Sequence, residues 1–207
     1  MTYLEKLARL DFLAARQAPG PAAASPVEHA LRELLALIRR EHAPDFILLD
    51  CRAGISDLGG LSLNDLPHVD VLVGRAGRPW EEGLELILRV LARRRAEQDR
   101  RVVLAHTFVP LPVDSAPSLS IQATYRARAY EVFSSWIWKD DAPAEEDTDA
   151  PHYPVAIGRY DELSAAASIG QLSETVLDNE PFRELRRRIE AAAEPEEPDE
   201  GPPGEDQ

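Results

Sequence analysis

The chain has 207 residues, 44% of them apolar, which is enough to bury one core of ordinary size. Its formal net charge of −14 is concentrated: Asp140–Asp149 carries six acids and no base, and Glu194–Gln207 carries seven. The near-neutral remainder lacks the Lys/Arg stripes that phosphate-driven nucleic-acid binding needs. The one cysteine rules out an internal disulfide framework, and no apolar run reaches the length of a membrane span.

In chain order, residues 2–16 carry leucines at helical spacing and predict a charged, amphipathic helix rather than a signal peptide, so a cytoplasmic protein is expected. "QAPGPAAA" breaks this helix. Ser25 as N-cap, Pro26 at the first helical position and Glu28 as the capping-box acid open a second helix that runs to about His42. After "HAPD", the apolar run Phe46–Leu49 reads as a strand buried on both faces, ending on Asp50.

Alternation then continues. "VDVLVG" (69–74) reads as a strand and residues 80–98 as a helix with Leu84, Ile87, Leu88 and Leu91 inward. The cluster Arg93–Arg95 at its end suits the helix dipole and reads as a solvated face. "RVVLAHTF" (101–108) is a strand, 119–138 a helix ending in Phe133, Trp136 and Trp138, and "YPVAIG" (153–158) a strand. "DELSAAASIGQL" and "NEPFRELRRRIEAAA" read as helices. Repeated strand–helix units predict an α/β fold with a mainly parallel sheet flanked by helices. The expected organisation is one domain over 1–193 with a mobile acidic loop at 140–151, followed by a disordered acidic tail at 194–207.

Candidate chemistry lies in "DFILLDCRAGISDLGG" (45–60). In parallel α/β sheets ligands bind at the carboxyl ends of strands. An acid there, Asp50, suits Mg²⁺ held through water, because Mg²⁺ demands oxygen ligands and stays largely hydrated. Gly54 lets the backbone pass close to a phosphate and present its N–H. The same residues have plainer readings: a strand-end Asp often caps the next turn, and Arg52 is placed to reach a phosphate or to pair with Asp57 or Asp65.

The segment "FILLDCRAGISDLGGLSLNDLPHVDVLV" resembles the second half of the ParA/MinD-type deviant-Walker ATPases, in the branch whose phosphate loop reads KGGVGR. Asp50, Cys51, Arg52, Ala53, Gly54 and Ile55 match the loop after that family's Walker B strand, and Asp70–Val73 match its "D-x-V-L-V" strand. "YLEKLARLDF" (3–12), "GRPWEEGLELILRVL" and "VAIGRYDELS" (155–164) resemble further family segments. The resemblance implies a partial P-loop NTPase (Rossmann-like) architecture. It implies ATP and Mg²⁺ as cofactors, Asp50 as the catalytic and metal-orienting acid, and Arg52, Gly54 and Thr107 as cofactor-binding positions. No G-K-G-G-V-G-K/R-[ST] loop occurs in the sequence. The expectation is therefore a domain inactive alone, or one that a second chain completes by supplying that loop. The other class of reading is a non-catalytic protein-interaction scaffold.

"CRAG" also resembles the loop of rhodanese-type sulfurtransferases, with Cys51 as nucleophile, but Asp57 stands where those loops place an Arg. The five histidines show no ligand spacing, and His106 reads as a core group. Ser56 and Ser62 lack a recognisable Ser-His-Asp pattern.

Overall fold

The computed structural model describes residues 26–50, 67–75, 77–94, 101–138, 141–161 and 179–194. These form helices α1 (Pro26–His42), α2 (Arg78–Arg94), α3 (Ala116–Phe133) and α4 (Glu180–Ala193), and strands β1 (Asp70–Gly74), β2 (Val102–Val109) and β3 (Val155–Gly158). The chain divides into two compact units, one of residues 1–67 with 85–98 and the other of 68–84 with 99–207. The predicted helices over 2–16 and 161–172, and the acidic tail from residue 195, lie outside the described residues.

In the first unit α1 starts at Pro26, as the capping signals require, and carries Arg39, Arg40 and His42 in its last turn, where cations favour the dipole. Ala43, with φ +41, ends it in the left-handed region just before Pro44. Leu35 is buried, whereas Leu34 and Leu37 are exposed. The run Phe46–Leu49 corrects the sequence expectation: it forms no strand. Phe46 and Leu48 are 52% and 85% exposed. An apolar run becomes a buried strand only when neighbours take up its backbone groups and cover both faces, and composition alone supplies neither. In the same unit, Leu88 and Leu91 of α2 are fully buried.

The second unit holds a three-stranded parallel sheet in the order β1-β2-β3, flanked by helices. The register pairs Asp70 with Val102, Leu72 with Leu104 and Gly74 with His106, which places these six on one face. Val71, Val73, Val103 and Ala105 lie on the other, joined by Val155 across the β2–β3 pair. Helix α4 covers this second face: Phe182 and Leu185 pack on Ala105, Val155 and Ile157, with the Tyr160 ring 5.9 Å from that of Phe182. α3 packs against β2 and buries Tyr125, Ala129, Val132 and Phe133. It runs into a wide π-helical turn over Ser134–Trp138. Trp138 then packs near Phe133 (5.1 Å) and His152 (5.1 Å), so this part of the aromatic cluster is core packing.

The described part of the acidic segment, 141–150, makes several contacts with the rest of its unit. Tyr130 Oη donates to Pro143 O (3.1 Å), and the Asp149 N–H donates to Asp147 Oδ1 (3.0 Å). Buried His152 bonds Glu145 O through Nε2 (2.9 Å); a carbonyl only accepts, so Nε2 carries the proton. Arg188 donates to the carbonyls of Thr148 and Tyr153, and Arg187 pairs with Asp149 at 2.9 Å. Both arginines also bond Glu184, at 2.6 Å from Arg188 and 2.8 Å from Arg187.

Two predictions follow from this packing. The Trp80 indole lies directly against Gly74, where a β-carbon would collide with the ring. Gly74→Ala therefore costs about 1–3 kcal/mol, read as a lowered midpoint in urea unfolding. The hydrogen bonds from Arg187 and then Arg188 hold the Glu184 carboxyl down from 4.5 to about 2, against the opposing effect of its partial burial. A depressed folded value gives stability that is fully present above the unfolded value. That stability is lost as pH falls from about 4.5 toward about 2. Thermal melts over this range should show the loss, and Glu184→Gln should flatten it.

Candidate functional site at the carboxyl end of the sheet

Loops and ligands gather at the carboxyl ends of parallel strands, so the ends of β1 and β2 are the place to look. β1 ends on Gly74, whose carbonyl accepts a hydrogen bond from Thr107 Oγ1 of β2 at 3.0 Å. Opposite Gly74 in register, His106 is buried and stacks on Tyr125 with ring centroids 4.2 Å apart and planes 11° from parallel. Tyr125 stacks in turn with Trp80 (6.4 Å, 8°), whose Nε1–H donates to the Tyr125 hydroxyl. Burial lowers the pKa of His106 and raises that of Tyr125 far above its ordinary value. Both side chains are buried, and the stack packs beneath the strand ends.

Beyond His106 the β2 strand bulges. His106 pairs with Ala156 and Val109 with Gly158, so β2 spends one residue more than β3 over this interval. The extra length turns Phe108 outward, 60% exposed and with φ +59. A bulky side chain in the left-handed region is unusual, and such residues collect at functional ends of strands. Leu111 and Leu119 are also exposed in the segment that follows. Chemically this end offers an aromatic and aliphatic contact surface.

The start of α2 is a poor phosphate cradle. Pro79 has no N–H, and the N–H groups of Trp80 and Glu81 both donate to Gly77 O (2.9 and 3.2 Å). Gly77 itself has φ +146, a conformation that suits glycine.

The sequence-derived site residues separate as follows. Asp50 is exposed at the end of a segment that is not a strand, in the first unit. Thr107 belongs to the second unit, at the strand ends. Cys51, Arg52 and Gly54 lie outside the described residues. Among the described residues no group of three His, Cys, Asp or Glu side chains could hold a metal ion, and no helix is long and apolar enough to cross a membrane. Comparison of the chain with protein-family models, with curated proteins and with solved structures finds no match.

Sequence reasoning missed the partnership of Trp80 and Tyr125. They are 45 residues apart and no local pattern joins them. The bulge was equally silent, because "VVLAHTFV" reads as an uninterrupted strand. The strain at Phe108 predicts an asymmetric response to substitution. Phe108→Gly should leave stability within about 1 kcal/mol despite losing an aromatic ring, whereas Phe108→Val should cost roughly 1–3 kcal/mol. Chemical denaturation of the two variants measures this.

Proposed function

We propose that this chain is a protein-interaction module built on a partial α/β sheet, and that a strand from a second polypeptide docks along the open edge of β1. The observation that carries this reading is the state of that edge. Among the described residues β1 pairs only with β2. Its Val71 and Val73, 36% and 57% exposed, continue the apolar face that α4 covers over β2 and β3. The strand "DVLVG" has no proline, no lysine and no bulge in its register with β2, and its one charge, Asp70, is buried at its start. Such an edge offers main-chain hydrogen bonds for affinity and alternate side-chain positions for specificity.

A second reading keeps the ATPase resemblance. In it the incoming polypeptide brings the glycine-rich phosphate loop that this sequence does not contain. Thr107, beside the last residue of β1, favours it, because that is where a nucleotide meets a parallel sheet. The described residues do not themselves form a cradle for ATP or Mg²⁺: Asp50 is exposed, off any strand, and has no cluster of further ligands. No catalytic step is assigned to this chain alone.

Two measurements test these readings. Selection of displayed ten-residue peptides against the whole chain should return apolar, extended binders. These should slow amide exchange in Val71–Gly74, and Val73→Lys should abolish their binding. Binders that protect only other segments, or that tolerate the lysine, would contradict edge docking. Calorimetry of the isolated chain with ATP and Mg²⁺ should show no binding, and tight binding would refute the need for a second polypeptide.

A further inference from the structure

The amino-terminal end of β2, opposite the Thr107 end, carries a cavity of about 320 Å³. Val102 and Val103 of β2 with Ala191 and Ala192 of α4 give it an apolar floor, and Arg187, Arg188 and Asp149 stand on its wall. The arginines are fixed before any ligand arrives. Arg188, only 12% exposed, is held by Glu184 at 2.6 Å and by the carbonyls of Thr148 and Tyr153. Arg187 grips both oxygens of Glu184, Nε to Oε2 at 2.8 Å and Nη2 to Oε1 at 2.9 Å. Its Nη2 also donates to Asp149 Oδ1 at 2.9 Å. Asp149 is 75% exposed on a turn, so it can leave that position at little cost.

We propose that this cavity binds a small organic monocarboxylate, which replaces Asp149 on Arg187 and rests its apolar part on Val102, Val103, Ala191 and Ala192. The Asp149–Arg187 pair already shows the contact in cis. Glu184 holds Arg187 in place, which lowers the ordering cost of binding, and the ligand takes the Nη2 contact that Asp149 leaves. The lining chemistry selects against phosphate. An apolar floor offers nothing to a fully hydrated dianion.

The test is a nuclear magnetic resonance titration of the labelled full chain with sodium butyrate, with sodium phosphate and sodium chloride as parallel arms at matched ionic strength. Butyrate should give saturable shifts at the amides of Val102, Val103, Ala191 and Ala192, and neither salt should do so. Arg187→Gln should weaken butyrate roughly tenfold, the scale of one charge-assisted contact. Asp149→Ala, on an exposed turn that tolerates substitution, should tighten it by about threefold, because it removes the internal competitor. Shifts that fail to saturate, phosphate binding as tight as butyrate, or an Asp149→Ala variant with unchanged or weaker affinity would each overturn the proposal.

Discussion

Five consecutive parallel pairs between β1 and β2, from Asp70 with Val102 to Gly74 with His106, fix most of what is described in the second unit. Parallel neighbours cannot be joined by a tight turn, so a crossover is required, and α2 is its helix. The same register decides which side chains share a face. It puts Gly74 and His106 together beneath Trp80 and Tyr125 on one side. On the other it aligns Val71 and Val73 with the apolar strip that α4 covers over β2 and β3. A slip of one residue would exchange these faces and strand every packed ring.

The elements legible in the sequence were those with redundant local signals. α1 had a cap, a proline and a period. β1 to β3 were short apolar runs bounded by breakers, and α4 had Asn179, Pro181 and a repeating acid–base spacing. Phe46–Leu49 failed for a physical reason. Hydrophobicity states that a segment would gain by burial, but a strand also needs a ladder partner, and that partner lies outside the segment's own residues. The strand ends were legible as a place, but not the contacts there. Thr107 was singled out by the family resemblance as a cofactor-binding position; in the structure its hydroxyl bonds Gly74 at the end of β1. The stack of His106, Tyr125 and Trp80 depends on contacts between residues far apart in sequence, which no window can reveal.

The two ends of the sheet have different characters. At the carboxyl end the polar groups are spent on one another: Thr107 on Gly74, and Trp80 on Tyr125. Among the described residues, exposed Phe108 and Leu111 stand at this end together with the charged Arg75, Arg159 and Asp161. At the amino end the polar groups are arginines locked by Glu184 around an apolar floor. The usual rule for parallel sheets directs attention to the first end, yet among the described residues a cavity lined by arginines lies at the second.

The helix "EPFRELRRRIEAAA" looks basic in isolation, but each of its four arginines has an acid within reach: Arg183 with Glu180, Arg186 with Glu190, and Arg187 and Arg188 with Glu184. These pairs cancel at short range. Seen from farther than a Debye length, about 8–10 Å in ordinary salt, the helix presents little positive field, while the chain as a whole carries −14. Its arginines therefore act on what lies within a few ångströms of them, the neighbouring carboxylates and carbonyls, and not as a long-range basic surface.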